Sequence, residues 1–529
     1  MTTKIRILLL LFLFSFMSSA FGGTAPPATG PVVSTTGGAV QGKHEGSVDA
    51  FLGIPYAKPP VGELRWRAPV NAEPWTGVRD ATRFCASCIQ IARPGDARPF
   101  TQEFLAEPPF SEDCLYLNVW TPAKRSKPLP VFVWIHGGAF TGGSGSLSVH
   151  NGANLASQGA VIVTINYRLG VLGFLAHPEL TQESADGTSG NYGMRDMIEA
   201  LKWVKANIAR FGGDSENVTI GGQSAGSAAV NNLVMSPMAK GLFQRVIPQS
   251  GSGMGIGMGT LKEAEATGVE FAKELGASSI ADLRKMPTSA LWKKEDEPGV
   301  MGDKSRRSYR PSVDGIVLAG DPNDPTAPVQ SRVPLMTGYT ADESDPSVKT
   351  TVAEFEKMIR QSYGSFAEKF LAAYPHGDDA QASHSAVELT RDRYMASLVI
   401  WSESRAETSG TPVYTYLFDH PYPGPYASTY GTFHTAEVPY TFGALNTPGL
   451  KFTDRDRQVS REMQTYWLKF FSTGNPNGSN LPVWPTVTAA PGEVMGIGDA
   501  PGRRLAVSTQ ERLSLFRDYV AAGGKLSRR

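Results

Sequence analysis

Two short, unbroken apolar runs constrain the fold of this chain more than any other feature. Residues 131–135 (VFVWI) and 161–165 (VIVTI) have the length of β-strands and contain no charged residue. Strands of this kind lie in sheets that are covered on both faces, whereas half-exposed strands alternate apolar and polar residues. The two runs therefore predict a mostly parallel central sheet flanked by helices.

Helical patterns alternate with the predicted strands. Apolar residues recur at helical spacing over residues 194–208 and again over residues 459–470, where Gly474 then predicts the end of the helix. A third short strand is predicted at residues 218–220. This alternation is typical of the α/β class, in which helices connect the parallel strands of one sheet.

Charge and composition limit the kinds of partner. Lys and Arg together number 50 and Asp and Glu together number 50, so the formal net charge is zero. A balanced chain has no strong general attraction to nucleic acid or to an anionic membrane surface. Hydrophobic residues at 41% and charged residues at 19% fit a globular protein with a large core. We therefore expect no nucleic-acid partner.

The first twenty residues have the layout of a secretory signal peptide. Lys4 and Arg6 precede an apolar run at residues 8–17, and small residues follow up to Ala20. The alternative is a membrane anchor, but the run is about ten residues and a spanning helix needs about 20. We predict cleavage near Ala20 and export to the periplasm or the extracellular medium. The mature protein, residues 21–529, is expected to have no integral membrane segment.

Export makes the three cysteines informative. Cys85, Cys88 and Cys114 allow one disulfide and leave one thiol. Neither a second CxxC motif nor a His pair lies nearby to form a zinc site. A structural bridge to Cys114 is expected, and the loop entropy is about 3.5 kcal/mol for either partner. The residues themselves leave the choice between Cys85 and Cys88 open.

One motif indicates a nucleophile. Residues 222–226 (GQSAG) match the pattern GxSxG, directly after the strand predicted at 218–220 and before residues 227–235, which can form a helix. A strand, a tight turn and a helix in this order expose the serine, here Ser224, at the edge of the sheet. A serine hydroxyl is a poor nucleophile by itself, so a base is required.

A glycine-rich loop follows the strand at 131–135. Residues 136–140 (HGGAF) can direct two backbone N–H groups toward a developing oxyanion, and the residue after the serine can supply a third. An ordinary glycine turn is the alternative. Ligands of α/β sheets bind at the carboxyl ends of the strands, and this position favours a functional loop.

Further motifs resemble the type-B carboxylesterase/lipase family, the cholinesterase-like branch of the α/β-hydrolases. The clearest match is residues 112–119 (EDCLYLNV). The others, in chain order, are residues 51–57 (FLGIPYA), 59–65 (PPVGELR), 166–168 (NYR), 190–193 (GNYG), 211–214 (FGGD) and 473–477 (TGNPN). The resemblance spans about residues 30–490. It implies one large α/β-hydrolase domain over residues 21–529, although length alone suggests three or four domains.

The resemblance implies a catalytic triad in the order serine, acid, histidine. Ser224 is the nucleophile of this triad, and Glu343 is the acid, at the end of residues 334–343 (PLMTGYTADE). The neighbouring Asp342 is the alternative acid. Among the eight histidines, the resemblance selects His434 as the base. The expected activity is ester hydrolysis through an acyl-enzyme.

The resemblance also assigns the groups around the triad. Gly138, Ala139 and Ala225 would form the oxyanion hole, and no metal or organic cofactor is implied. Cys88 is favoured over Cys85 as the partner of Cys114. Two ion pairs are expected to be structural, namely Arg65 with Glu112 and Arg168 with Asp196.

Two departures from the family bear on the substrate. Gln223 stands where many members have a Glu, and residues 89–113 contain no Trp, although the choline-binding members carry one there. Aromatic rings and negative charge bind a quaternary ammonium. We therefore expect a small-molecule ester substrate that is not a choline ester. The loop at 137–139 also resembles the loops of members that accept bulky alcohols.

Other functions remain open within the same fold. A lipase acting at interfaces, an amidase or a thioesterase would use the same triad, and an adhesion-type family member would keep the fold without catalysis. The walls of the substrate pocket are candidates only, around residues 92–112 and 290–310. The oligomeric state is likewise left open.

Overall fold

The structure is a computed structural model that describes residues 30–91, 97–253, 258–292, 309–324, 327–344, 349–478 and 480–526. The signal peptide predicted at residues 1–20 lies outside the described residues. All of the predicted site residues are among the described residues.

Strands and helices alternate along the chain. The strands are β1 (Val32–Ser34), β2 (Ala39–Gln41), β3 (Lys43–Glu45), β4 (Val48–Pro55), β5 (Val78–Asp80), β6 (Ser87–Cys88), β7 (Phe110–Ser111), β8 (Tyr116–Pro122), β9 (Leu129–Ile135), β10 (Val161–Ile165), β11 (Gly213–Gln223), β12 (Arg245–Gln249), β13 (Leu335–Thr340), β14 (Val413–Phe418), β15 (Glu493–Ile497) and β16 (Gly502–Leu505). The helices are α1 (Ala153–Ser157), α2 (Gly170–Phe174), α3 (Pro178–Glu183), α4 (Tyr192–Asn207), α5 (Ala225–Met235), α6 (Leu261–Glu274), α7 (Ile280–Lys285), α8 (Thr288–Leu291), α9 (Val352–Tyr363), α10 (Ala367–Ala373), α11 (Asp379–Ser409), α12 (Ala427–Tyr430), α13 (Val438–Phe442), α14 (Asp454–Thr473) and α15 (Gln510–Ala521).

An 11-stranded sheet forms the centre of the described structure, in the order β16-β15-β14-β13-β12-β11-β9-β10-β8-β4-β3. Neighbours from β15 to β10 in this order are all parallel. Antiparallel strands complete both edges, β16 at one and β8, β4 and β3 at the other. The prediction of a mostly parallel sheet flanked by helices is confirmed.

The two apolar runs are β9 and β10, and both strands lie inside this sheet. Alternate side chains of β9 enter different parts of the core. Val131 and Val133 pack in the cluster that contains residues of α4 and α5, whereas Phe132 and Trp134 pack in the cluster that contains residues of α14. Phe132 stacks on Phe471 with ring centroids 4.4 Å apart. Because helices cover both faces, these strands need no polar side.

One predicted element ends where the sequence indicated, and one is longer than predicted. Helix α14 ends at Gly474, whose φ of 76° is left-handed and favours glycine, as predicted. The strand predicted at 218–220 is longer, because β11 begins at Gly213 and has an irregular register before Val218. In the described part of the chain, no helix is both long and apolar enough to cross a membrane.

The disulfide joins the end of β6 to the segment between β7 and β8. The Sγ atoms of Cys88 and Cys114 are 2.07 Å apart. Cys85 forms no disulfide, and its thiol lies 3.6 Å from the carbonyl oxygen of Gly53. This is the pairing that the family resemblance implies.

Both expected ion pairs are present. Arg65 donates to Glu112 through two nitrogens at 2.6 and 2.7 Å, and Arg168 donates to Asp196 at 2.6 and 2.8 Å. Arg65 also donates to backbone carbonyl groups around the end of α7. Both pairs are buried and connect separate segments of chain, which is a structural role.

Candidate active site

Ser224 lies on the sharp turn between β11 and α5. Its φ of 58° and ψ of −120° are unusual for a residue with a side chain, and such conformations cost about 1–3 kcal/mol. Backbone hydrogen bonds hold this turn: the N–H of Ser224 donates to the carbonyl of Gln249 at 2.9 Å, and its own carbonyl accepts from Ala228 at 2.9 Å. A strained serine between a strand and a helix is the geometry of a nucleophile elbow.

Two glycines allow close packing around this elbow. A Cβ atom at Gly226 would lie 2.1 Å from the carbonyl oxygen of Ile135, at the end of β9. A Cβ atom at Gly137 would lie 2.6 Å from the carbonyl oxygen of Gln223 and 3.2 Å from Cβ of Ser224. The glycines of both motifs therefore bring the loop after β9 against the serine.

The three backbone N–H groups assigned to the oxyanion hole are not used by the protein itself. Those of Gly138, Ala139 and Ala225 donate no hydrogen bond to any described residue. Gly138 and Ala139 have positive φ values of 105° and 57°. Ala139 and Ala225 line the same cavity as Ser224. These amides are free to bind a ligand atom beside the serine.

Glu343 and His434 come from loops that follow β13 and β14. The distance between Nδ1 of His434 and Oε2 of Glu343 is 2.5 Å. The other carboxylate oxygen of Glu343 accepts from the N–H and the hydroxyl of Thr340, each at 3.0 Å. Glu343 is buried, so its carboxylate is held in one orientation toward the imidazole.

The second imidazole nitrogen contacts the side chain of Gln223, the residue before Ser224. Nε2 of His434 lies 3.2 Å from the side-chain nitrogen of Gln223, and Gln223 Oε1 accepts from the hydroxyl of Thr435 at 3.1 Å. Among the described contacts, Ser224 has no hydrogen bond to His434. Since Nδ1–H donates to Glu343, Nε2 is the nitrogen that accepts. Hydrogen bonds between catalytic groups are often long before substrate binds.

Asp342, the alternative acid, has a different partner. Its carboxylate accepts from the N–H of Thr432 at 2.8 Å, and its own N–H donates to the carbonyl of Thr432 at 3.1 Å. A short parallel bridge also pairs Asp342 with Phe433. Asp342 therefore connects the two loops that carry Glu343 and His434, and its side chain is used in that connection.

No role was predicted from the sequence for Glu437, which lies three residues after His434. Its side chain is fully buried, and one carboxyl oxygen accepts from Gln249 at 3.4 Å while the other has no partner among the described residues. Burial, and then the charge of Glu343, raise the pKa of Glu437 to about 8. The only signal for it in the sequence was a charged residue in the segment around His434, residues 431–437 (GTFHTAE).

A cavity of about 380 Å³ opens beside Ser224. Its size is that of a small-molecule site. Its walls come from the loop after β9, α5, the chain after β12, the chain around the start of α6, residues 310–312 and 322–323, and α11. The lining residues are Ala139, Phe140, Ser224, Ala225, Ala228, Asn231, Asn232, Gly251, Gly253, Met258, Gly259, Glu263, Ala264, Thr267, Arg310, Pro311, Ser312, Pro322, Asn323 and Trp401.

The cavity differs from the wall segments expected from the sequence. The described residues of the segment 92–112 contribute none of its lining, and the segment 290–310 contributes Arg310. Trp401 comes from the long helix α11, for which the sequence carried no pattern that we interpreted. Within the described residues, no group of three or more His, Cys, Asp and Glu side chains is placed to hold a metal ion.

The mostly parallel sheet flanked by helices, with the sharp turn between β11 and α5, is that of an α/β-hydrolase. The chain belongs to the carboxylesterase family, whose sequence profile matches residues 29–514.

Similar proteins agree with this assignment. The chain is 36% identical to fumonisin B1 esterase of Sphingopyxis macrogoltabida over 88% of this chain and 86% of that protein. It is 37% identical to para-nitrobenzyl esterase of Bacillus subtilis (strain 168) over 86% of this chain and 92% of that protein. A solved structure of PNB esterase superposes with a TM-score of 0.75 at 33% identity, covering 92% of this chain and 100% of the other. The protein is accordingly an enzyme of the carboxylesterase class, and its family acts on small ester substrates.

Proposed function

We propose that this carboxylesterase hydrolyses carboxylic esters through a triad of Ser224, His434 and Glu343. The observation that carries the proposal is the 2.5 Å contact between Glu343 and His434, on loops that meet beside the serine elbow. Ser224 Oγ attacks the ester carbonyl, and Nε2 of His434 takes the proton. The carboxylate of Glu343 holds Nδ1–H and stabilises the imidazolium that forms.

The tetrahedral intermediate carries its charge on the former carbonyl oxygen. The free N–H groups of Gly138, Ala139 and Ala225 would bind this oxyanion, each contributing on the order of 3 kcal/mol. When the intermediate collapses, His434 returns its proton to the leaving alcohol. A water molecule, deprotonated by the same imidazole, then attacks the acyl-enzyme and releases the acid.

Choline esters are proposed to be poor substrates. The neutral amide of Gln223 replaces the carboxylate that many family members place before the nucleophile. The cavity lining includes the cationic Arg310, which would repel a quaternary ammonium. We also propose that the protein is exported, because disulfides persist mainly in oxidising compartments and Cys88 is joined to Cys114.

A panel of p-nitrophenyl esters of increasing acyl length tests the triad. Ser224→Ala should lower kcat by a factor on the order of 10⁶, because no other group can form the acyl-enzyme. Ser227→Ala is the matched control: this buried hydroxyl lies one helical turn further along and has no hydrogen-bond partner among the described residues. Wild-type rates in Ser224→Ala, or an equal loss in Ser227→Ala, would contradict the proposal.

A further inference from the structure

We propose that the ester substrate carries a carboxylate, which Arg310 and Ser312 bind inside the cavity beside Ser224. This inference rests on the proposed function, since it names the substrate class of that same site. Two polar side chains of the cavity wall support it, and neither has a partner among the residues that the structure describes.

Arg310 is the first of these side chains. It lines the cavity together with Ser224. Within the described structure no side-chain hydrogen bond or charged partner acts on its guanidinium. Burial lowers the pKa of its guanidinium, because a low-dielectric surrounding disfavours the charged form. Arg310 is half-buried, so its guanidinium keeps donors open to the cavity, and a bound anion would supply a counter-charge that the described residues do not.

Ser312 is the second. Its side chain is 3% exposed and lines the same cavity, and its hydroxyl has no hydrogen-bond partner in the described residues. A buried hydroxyl that makes no hydrogen bond costs about 1–3 kcal/mol. A carboxylate can accept from a guanidinium and a hydroxyl together, so one anionic group would satisfy both residues.

The segment that carries both residues is held in place. The side chain of Asn191 accepts from the N–H of Ser312 at 3.1 Å and donates to its carbonyl at 2.8 Å. The next residue, Val313, donates to Gly259 at 2.9 Å and accepts from Leu261 at 3.0 Å. Arg310 and Ser312 are therefore presented by a fixed backbone, which lowers the entropic cost of binding.

The other charged side chain of the cavity wall already has partners. Glu263 accepts from the N–H and the hydroxyl of Thr260 at 2.7 and 2.9 Å, in the capping box of α6. It forms no ion pair with Arg310. Much of the remaining wall is apolar, including Phe140, Met258 and Trp401. The wall therefore suits an ester with an apolar body and one anionic group.

Two pairs of substrates locate the anion. The first pair consists of p-nitrophenyl esters of adipic acid, one with the second carboxyl free and one with that carboxyl as a primary amide. It tests the acyl side. The second pair consists of the butyrate esters of 4-hydroxybenzoic acid and of 4-hydroxybenzamide, which tests the alcohol side. Initial rates are measured for each, with Ser224→Ala as the blank.

The wild-type enzyme should prefer the acid over the amide in one of the two pairs. Arg310→Gln should lower kcat/KM for that acid by roughly 10- to 100-fold and for its amide by less than about twofold, as expected for a charged hydrogen bond. Arg310→Lys should restore part of the preference. Arg210→Gln, at an exposed arginine outside the cavity lining, should change neither rate.

Ser312→Ala provides a second variant that removes no contact of the folded protein. It should lower the rate with the acid substrate several-fold and leave the rate with the amide substrate unchanged. Absence of a preference in both pairs, or equal losses for acid and amide in Arg310→Gln, would overturn the inference while leaving the triad in place. If none of the esters is cleaved by a Ser224-dependent reaction, the proposed function itself fails.

Discussion

At the scale of single residues, two adjacent carboxylates have separate tasks. Glu343 contacts the imidazole of His434, and Asp342 contacts the backbone of Thr432. Because the two acids are consecutive in the chain, the sequence does not show which of them contacts His434. The difference between them arises because successive side chains of an extended segment point in different directions.

Substitution of the two acids tests this division. Glu343→Gln keeps the shape but removes the charge that stabilises the imidazolium, so kcat should fall by about 10³–10⁴. Asp342→Asn keeps an oxygen that can accept from Thr432, so kcat should fall by less than about tenfold. Rates with p-nitrophenyl butyrate and circular dichroism spectra measure both effects. The reverse order in folded variants would make Asp342 the acid.

Glu437 predicts a pH dependence of stability. Its pKa is about 8 in the folded protein against an ordinary value of 4.5. Between these values the folded state binds a proton that the unfolded state does not bind. The stabilisation that comes from the protonated Glu437 side chain is fully present below about pH 4.5 and is lost as the pH rises through about 8. The free energy of unfolding should therefore decrease between these two pH values.

Glu437→Gln removes the titration. The variant should match the wild type near pH 5 and be more stable above pH 8, where the wild type must bury a charge. Denaturant unfolding at pH 5, 7 and 9 measures the difference. Glu270→Gln, at an exposed position of α6, is the control and should follow the wild-type curve. If the free energy of unfolding has the same pH dependence in Glu437→Gln and the wild type, Glu437 does not have the raised pKa.

At the scale of elements, the contact between β9 and the start of α5 places the serine beside the loop at residues 136–140. The carbonyl of Ile135 ends β9 and meets Gly226 of α5 with no room for a side chain. The loop that begins at His136 continues directly from this contact. The turn at Ser224 and the loop at residues 136–140 are therefore a single packed unit.

Gly226→Ala tests this contact. The added Cβ would lie 2.1 Å from a backbone oxygen, so β9 and α5 must separate. Overpacking of this kind costs about 1–3 kcal/mol, and a shift of about 1 Å at a catalytic group can lower kcat 100-fold. Gly377→Ala, where the nearest atom is the end of the flexible Gln381 side chain, should be neutral. Equal effects of the two substitutions on kcat and on the melting temperature would show that β9 and α5 tolerate the added atom.

At the scale of the whole molecule, the disulfide between Cys88 and Cys114 restricts the unfolded chain. It closes a loop with a sequence separation of 26, for which loop entropy predicts about 3.5 kcal/mol of stabilisation. The double variant Cys88→Ser/Cys114→Ser should lose about this much free energy of unfolding. Cys85→Ser should not, because Cys85 is unbridged. Denaturant titration with and without reductant measures both, and a comparable loss in Cys85→Ser would argue against this pairing.

The features that depend on local sequence were predictable. The runs at β9 and β10, the end of α14 at Gly474 and the turn around Ser224 each depend on a few consecutive residues, because periodicity, glycine conformations and turn chemistry act over short distances. The family resemblance then selected Glu343 and His434. No property of their own segments distinguishes Glu343 from Asp342.

Only the tertiary structure decided the rest. Glu343 and His434 are 91 residues apart in the chain and meet because β13 and β14 are neighbouring parallel strands. The cavity beside Ser224 likewise combines α5, α6, α11 and the segment of Arg310. The pKa of Glu437 is raised by burial and by Glu343, neither of which its own sequence neighbours determine. Burial, cavity shape and the lack of a counter-charge for Arg310 among the described residues depend on contacts between distant segments of the chain. They are therefore properties of the packed molecule.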